Sequence, residues 1–175
     1  MIVGALLAAG ASRRFGAEDK LLAPLQGRPL VAHAAKRMTR AALDHCFAVV
    51  SSAEVAQAVG VDTVMIPAGG GQADSLVAAV RHLPDTTTHL LILLGDMPYL
   101  EDEDLALILS GDGPRCAVAD GHVSPPALFP REWFPRLLTL RGDEGAGKLL
   151  RHHPEAHCPL PPASLRDIDR PDDLR

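Results

Sequence analysis

Three segments of the 175-residue chain combine residue types suited to phosphate and metal chemistry. The first runs Ala8-Ala9-Gly10-Ala11-Ser12-Arg13-Arg14-Phe15-Gly16-Ala17-Glu18-Asp19-Lys20. Its small residues let backbone N–H groups approach phosphate oxygens, as in an anion-binding nest. Arg13 or Arg14 adds a forked donor, and Lys20 a mobile point charge. Ser12 stands where the second Gly of G-x-G-x-x-G belongs, so this is not a dinucleotide-binding fingerprint. The second segment is Gly69–Ser75, opened by three glycines. The third, Gly95-Asp96-Met97-Pro98, puts a carboxylate at the end of the most apolar run in the chain. A carboxylate at the lip of a dry strand is costly unless it is paired or bound to a metal. One or two carboxylates plus substrate phosphates is the usual way of holding Mg²⁺. A turn residue before Pro98 is the bland alternative for Asp96.

These segments can act together only if the elements between them bring them to one place. Ile2–Leu7 reads as a buried strand. A helix from Pro29 puts Leu30, Ala34, Met38 and Ala42 on one face, with Pro29 at its first position. Strands at Cys46–Val50 and Val61–Ile66 flank a short helix near Glu54–Ala58. After Gly69-Gly70-Gly71, a helix carries Leu76, Ala79, Val80 and Leu83 on one stripe, with Asp74 or Ser75 as its cap. Leu90–Leu94 suits a central strand covered on both faces. A helix over Glu101–Leu109 opens on four acids that complement its dipole. Strands at Cys116–Ala119 and Ala127–Phe129 follow, then helices around Glu132–Leu138 and Asp143–His152, and a short terminal helix from Pro171. Alternation at this spacing predicts an α/β fold, an open and mostly parallel sheet with a mixed edge after residue 115. In such sheets ligands bind outside the carboxyl ends of the strands. All three segments fall there.

Composition narrows the partners. With 47% hydrophobic and 22% charged residues the chain is globular, and its length suits one domain over residues 1–175. A net charge of −5 argues against nucleic acid or an anionic membrane as partner. The charge is uneven, however: residues 1–40 hold seven Lys/Arg against two acids. Cys46, Cys116 and Cys158 form no C-x-x-C pair, so a reduced, cytoplasmic setting is expected. The apolar start lacks a preceding basic region and is not read as a leader.

The ordered set Leu7-Ala8-Ala9-Gly10-x-Ser12-x-Arg14-x-Gly16-x-x-x-Lys20, Gly95-Asp96-Met97-Pro98 and Asp167-Ile168-Asp169-x-Pro171-x-Asp173-Leu174 resembles the MobA-like nucleotidyltransferases. Within them it is most similar to the molybdenum-cofactor cytidylyltransferase branch. Leu128-Phe129 and Gly142-Asp143-x-Gly145-Ala146 are similar to that branch too. The resemblance implies a three-layer Rossmann-like fold of the nucleotide-diphospho-sugar transferase type. It also implies a reaction in which the terminal phosphate of molybdopterin attacks the α-phosphorus of a nucleoside triphosphate. Carried over, the backbone of Leu7, Ala8, Ala9, Gly10, Ser12, Arg13 and Gly16 cradles the triphosphate, and Arg14 meets its β- and γ-phosphates. Lys20 meets the α-phosphate. Asp96 holds Mg²⁺, with Asp167 or Asp169 completing the metal site. Gln72, Asp74 and Ser75 fall in the segment that contacts base and ribose. Ala9 fills a place where the guanylyl branch usually has Gly, which favours CTP. A target molybdoenzyme or its chaperone would receive the product.

Two departures bear on the acceptor. Ser124 and Pro125 stand where the family usually has Gly and His, and Arg170 replaces a capping Thr, so Asp169 is expected to serve partly as a helix cap. Several other patterns are read as structural. Gly142–Lys148 nearly spells a Walker A loop, but Leu149 occupies the Ser/Thr position. Pro154 prevents a helix from aligning His152, His153, His157 and Cys158 as metal ligands. Lys36, Arg37 and Arg40 are read as a solvated helix face, and Trp133 and Phe134 as a core edge.

Overall fold

The structure, a computed structural model, describes residues 1–10 and 19–174. Its first strand, β1 (Ile2–Ala8), is flanked by β4 (His45–Val50) and β6 (His89–Leu94), both parallel to it. Beyond β4 lies β5 (Asp62–Met65), also parallel; beyond β6 lie β8 (His122–Pro130), β7 (Arg115–Ala119) and β9 (His157–Pro159). The resulting seven-stranded order is β5-β4-β1-β6-β8-β7-β9, with β8 antiparallel to both neighbours. The mixed edge therefore falls where the strand–helix alternation fades. A separate two-stranded ribbon pairs β2 (Pro24–Leu25) with β3 (Arg28–Pro29).

Alternate residues of β1 feed two different cores, the sign of a sheet covered on both faces. Leu6 and Ala8 pack with α1 (Leu30–Arg40), α2 (Ala53–Val59) and α4 (Asp102–Leu109). Val3, Ala5 and Leu7 pack with α3 (Gln72–His82), α5 (Phe134–Leu137) and α6 (Gly147–Leu150). The result is the expected three-layer α/β sandwich. Helix α1 buries Leu30, Val31, Ala34, Ala35 and Met38. Pro29 precedes the helix as its N-cap instead of opening it, and its missing N–H leaves no donor unsatisfied there.

Asp74 does not cap α3 from outside. Gly71 is the N-cap, and Asp74, inside the first turn, accepts the Gly71 N–H at 2.8 Å. Glu101 and Asp104 open α4 in the same way, with Asp104 accepting the Glu101 N–H at 2.8 Å. The basic face of α1 is less solvated than its sequence suggests. Arg37 donates to Asp102 at 2.6 Å and to Glu101 at 2.9 Å, and Arg40 meets Asp102 at 2.8 Å. The Arg37 hydrogen bond holds the Asp102 carboxyl below its usual range.

The second half departs most from expectation. Strand β8 is much longer than Ala127–Phe129, because Pro125 and Pro126 sit in a register shift between Cys116↔Ala127 and Ala117↔Ser124. Prolines are tolerated where the ladder is already broken. Asp120 and Gly121 both take positive φ, +49° and +77°, and close the β7–β8 hairpin in two residues. The helices expected at Glu132–Leu138 and Asp143–His152 shrink to α5, α6 and a 3₁₀ turn at Arg131–Trp133. A 3₁₀ turn likewise replaces the terminal helix at Pro171–Leu174. Strand β9 forms at an edge of the sheet, in a stretch too short and proline-rich to show a period. Among the described residues, no helix is long and apolar enough to cross a membrane.

Gly4 lets Met38 of α1 and Leu43 beyond it pack directly on β1. A methyl group there would lie 2.6 Å from Leu43 Cδ1 and 3.2 Å from Met38 Cγ and Sδ. Gly4→Val is therefore expected to lower stability by about 1–3 kcal/mol through overpacking. Denaturant melts of the two proteins would measure it, and equal midpoints would show that the layer can expand.

Candidate active site

The polypeptide leaves β6 through Gly95, whose N–H donates to Leu7 O at 2.9 Å and so extends the ladder one residue. Gly95 is buried against Ala8 and Val31, where a methyl group would lie 3.2 Å from each. That seat delivers Asp96 to the rim beside the end of β1. Lys20 arrives from the other side, opening a 3₁₀ turn over Lys20–Leu22. Asp19 caps this turn by accepting the Leu21 N–H at 3.0 Å, and Leu21 is buried beneath it.

The chain terminus supplies the third wall. Ile168 is fully buried with Leu25 and Leu30, and its N–H donates to Asp96 O at 3.0 Å. In an extended segment the residues either side of a buried one face the other way. Ile168 thus turns Asp167 and Asp169 outward beside Asp96. One carboxylate oxygen from each of Asp96, Asp167 and Asp169 lies within 4.8 Å of the others. Asp169 was expected to act partly as a cap, but Asp173 does that work, accepting the N–H groups of Asp169 at 3.0 Å and Arg170 at 2.8 Å. The Asp169 side chain turns to Lys20 instead.

Lys20 Nζ donates to Asp96 Oδ2 at 2.7 Å and to Asp169 Oδ1 at 3.0 Å. Burial of the ammonium would lower its pKa, but the two carboxylates outweigh that and raise it. Partial burial and the charges of Asp169 and Asp96 push the Asp167 carboxyl above its usual range. Asp96 Oδ1 is buried and has no hydrogen-bond partner among the described residues. A buried carboxylate oxygen left over, with two further carboxylates in reach, fits the oxygen-rich ligand set of a hard divalent cation.

Of the remaining expected site residues, Ser12, Arg13, Arg14 and Gly16 lie outside the described residues. Leu7 and Ala8 belong to β1, so their backbones serve the sheet ladder and their side chains the core. Ala9 is buried with Leu7 and Ala73 in one cluster, and Gly10 is exposed just beyond. This places the start of α3 against the exit of β1. Within α3, Asp74 is committed to the Gly71 N–H and Ser75 is only 4% exposed. Gln72 is the half-buried member of the three.

Two segments quoted above only as motif residues, without a role, gain one here. Ile168 anchors the terminal acids, and its signal was the alternation Asp-Ile-Asp. The loop over Gly142–Gly147 packs on the start of α3, with Gly142 O accepting the Ala73 N–H at 3.0 Å. Several side chains of the patterns set aside as structural have partners of their own. Exposed Lys148 pairs with Glu144, His153 with Glu155 at 2.9 Å, and the His157 ring bonds Leu150 O at 2.9 Å. Trp133 meets Phe129 at a tilted angle at the core edge, under the Arg136 guanidinium.

An α/β sheet that gathers three carboxylates and a lysine beyond the carboxyl ends of its central strands has the layout of a ligand-binding rim with a candidate cation site. Over residues 4–157 the chain matches the MobA-like NTP transferase domain, and it belongs to that family; it is a nucleotidyltransferase. It is 31% identical over 167 residues to the purine catabolism protein PucB of Bacillus subtilis (strain 168), covering 86% of this chain and 80% of PucB. It is 28% identical to the molybdenum cofactor guanylyltransferase of Xanthomonas euvesicatoria pv. vesicatoria (strain 85-10), over 93% of this chain and 85% of that protein. The crystal structure of Rv0371c from Mycobacterium tuberculosis H37Rv superposes with a TM-score of 0.85 at 27% identity, covering 98% and 94% of the two chains. A second structure of Rv0371c, a complex with manganese, superposes at 0.74 with 25% identity over 91% and 86%. A divalent metal thus accompanies this fold in a related protein.

The crowding of acids has a measurable consequence. Lys20→Ala leaves three carboxylates without their cation and is expected to cost the metal-free protein about 1–3 kcal/mol, below the range for a fully buried pair. Added Mn²⁺ should recover more stability in that variant than it adds to the wild type. Equal Mn²⁺ stabilisation of both in thermal melts would separate the metal from these acids. Asp167→Asn should raise the metal-free Tm. A carboxyl whose pKa is raised by folding favours the fold below its unfolded pKa and loses that contribution as pH rises through the folded value. The variant should therefore lose less stability across that interval in a pH series of melts.

Proposed function

We propose that the protein is a Mg²⁺-dependent cytidylyltransferase that transfers CMP from CTP to molybdopterin and releases pyrophosphate. We further propose that residues 1–175 act as one catalytic domain in the cytoplasm. The observation that carries the reading is Lys20 seated between Asp96 and Asp169 at the rim, where a cationic side chain and a metal site adjoin.

In this reading Asp96, with Asp169 and Asp167, holds the divalent cation, which when bound neutralises charge on the triphosphate. Lys20 gives up its two carboxylate partners and turns its ammonium to the α-phosphate, where negative charge shifts in the transition state. Arg14 and the loop from Ala9 through Gly16 hold the β- and γ-phosphates. An oxygen of the molybdopterin phosphate then forms the new bond to the α-phosphorus, while the bond to the bridging α–β oxygen breaks and pyrophosphate departs. The attacking oxygen is already anionic, so no side chain acts as general base. Positioning and charge neutralisation supply most of the rate. Ala9, in place of the glycine usual in the guanylyl branch, supports CTP. The dinucleotide product would pass to a target molybdoenzyme or its chaperone.

The relationship to a protein named molybdenum cofactor guanylyltransferase supports a second reading, in which GTP replaces CTP. A carrier that only binds the finished cofactor has no need of both Lys20 and Asp96, and this chain retains both. Pyrophosphate release with CTP, GTP and ATP, with and without molybdopterin in Mg²⁺, separates the three. Release with CTP that depends on molybdopterin is expected. Release with GTP alone would reverse the base assignment. No turnover, together with tight binding of the dinucleotide cofactor, would make the protein a carrier. Lys20→Ala is expected to lower turnover by about 10²–10³, the effect of removing one preorganised donor at a developing charge. An unchanged rate would remove Lys20 from the chemistry.

A further inference from the structure

The glycines of the loop between α5 and α6 have no part in the reaction as described, yet two of them, with Gly71 facing them, are conformationally or sterically constrained. Gly142 takes a left-handed φ of +58° and places its carbonyl on the Ala73 N–H. Gly71 backs onto that same carbonyl so closely that a methyl group on it would lie 2.1 Å from Gly142 O. At the other end Gly147 abuts β8, where a methyl group would lie 2.7 Å from Val123 O. Ala146 between them is buried. The loop is thus pinned by backbone contacts at both ends, to the start of α3 and to the sheet.

Gly145 differs in kind. The nearest atoms a methyl group there would meet belong to the end of a side chain: Gln72 Oε1 at 2.3 Å and Cδ at 3.0 Å. The carboxamide of Gln72 therefore occupies the space that a side chain at 145 would fill. An amide presents a donor and an acceptor in a set order, so its direction decides which base edge it can pair with. Cytosine and guanine differ in that order.

We infer that Gly145 is a positioning residue for nucleotide selectivity: the pinned loop Gly142–Gly147 leaves a slot at Gly145 that fixes the direction of the Gln72 carboxamide toward the base. This rests on the proposed function and on the resemblance, which implies that Gln72 falls in the segment that contacts base and ribose. Gly145 itself touches no substrate. Its absent side chain sets where the amide lies, and the backbone contacts of Gly71, Gly142 and Gly147 keep the slot in place.

The test is a double-mutant cycle on the full-length protein in Mg²⁺, reading binding of CTP, GTP and inorganic triphosphate. Gly145→Ala displaces only the tip of a flexible side chain, so it should melt with the wild type and bind inorganic triphosphate unchanged. Its CTP-to-GTP affinity ratio should shift about tenfold, the scale of one misplaced contact in a binding site. In a Gln72→Ala background the same substitution should leave the ratio where Gln72→Ala alone put it. A shift of equal size in both backgrounds would overturn the inference, as would an unchanged ratio in the wild-type background when Gln72→Ala itself moves it. If Gln72→Ala does not move the ratio, the base-contact reading falls and takes this inference with it. Gly71→Ala, which collides with backbone, should instead lower the Tm.

Discussion

Carboxylates within 4.8 Å of one another repel, and Asp96, Asp167 and Asp169 are held there in the folded chain. The ammonium of Lys20 makes this tolerable by donating to two of them from a half-buried position. Much of the rim follows from that balance. Lys20 is capped in place by Asp19 and anchored through buried Leu21, Asp96 by the Gly95 ladder bond, and the terminal acids by Ile168. The raised pKa of Asp167 and the unpartnered Asp96 Oδ1 show that one ammonium does not satisfy three carboxylates. The residual demand is for a further cation, and the oxygen-rich set of Asp96, Asp167 and Asp169 suits a divalent one.

The scaffold behind this cluster is ordinary, and that is why it can be held. Parallel pairing of β1 with β4 and β6 is buried on both faces, so the strand ends are fixed by layers of Leu, Val and Ala instead of by polar contacts. Glycine appears where the chain must pass close to itself: Gly4 beneath α1, Gly95 beside Ala8 and Val31, and Gly71 against Gly142. The last of these joins segments far apart in the sequence. It ties the start of α3, packed on the exit of β1, to a loop more than sixty residues later in the sequence.

The first half of the fold was legible because its periodicity is strong. Continuous apolar runs at Ile2–Leu7 and Leu90–Leu94 and the spaced stripe of α1 leave little ambiguity, and observed boundaries shift by only a residue or two. The second half was not. Prolines at 125 and 126 argue against a strand by local rules, yet a register shift accommodates them within β8. The helix expected over Asp143–His152 shrank to a single turn, because the glycines at 145 and 147 lie close against Gln72 and Val123. The basic face of α1, read as facing water, pairs instead with the first-turn acids of α4 across sixty-odd residues.

By itself the sequence determined the chemical types: a small-residue loop with Lys20, an acid after the driest strand, and an Asp-Ile-Asp near the end. Residue type and near-neighbour spacing are local properties, and local physics reads them. Tertiary structure alone decided the pairings. Lys20 meets Asp96 and Asp169, Asp173 replaces Asp169 as the cap, and Asp74 closes on Gly71. Each is a choice between partners equally available in composition. What separates them is distance after the sheet has formed, set chiefly by the burial of Ile168 and the ladder bond of Gly95.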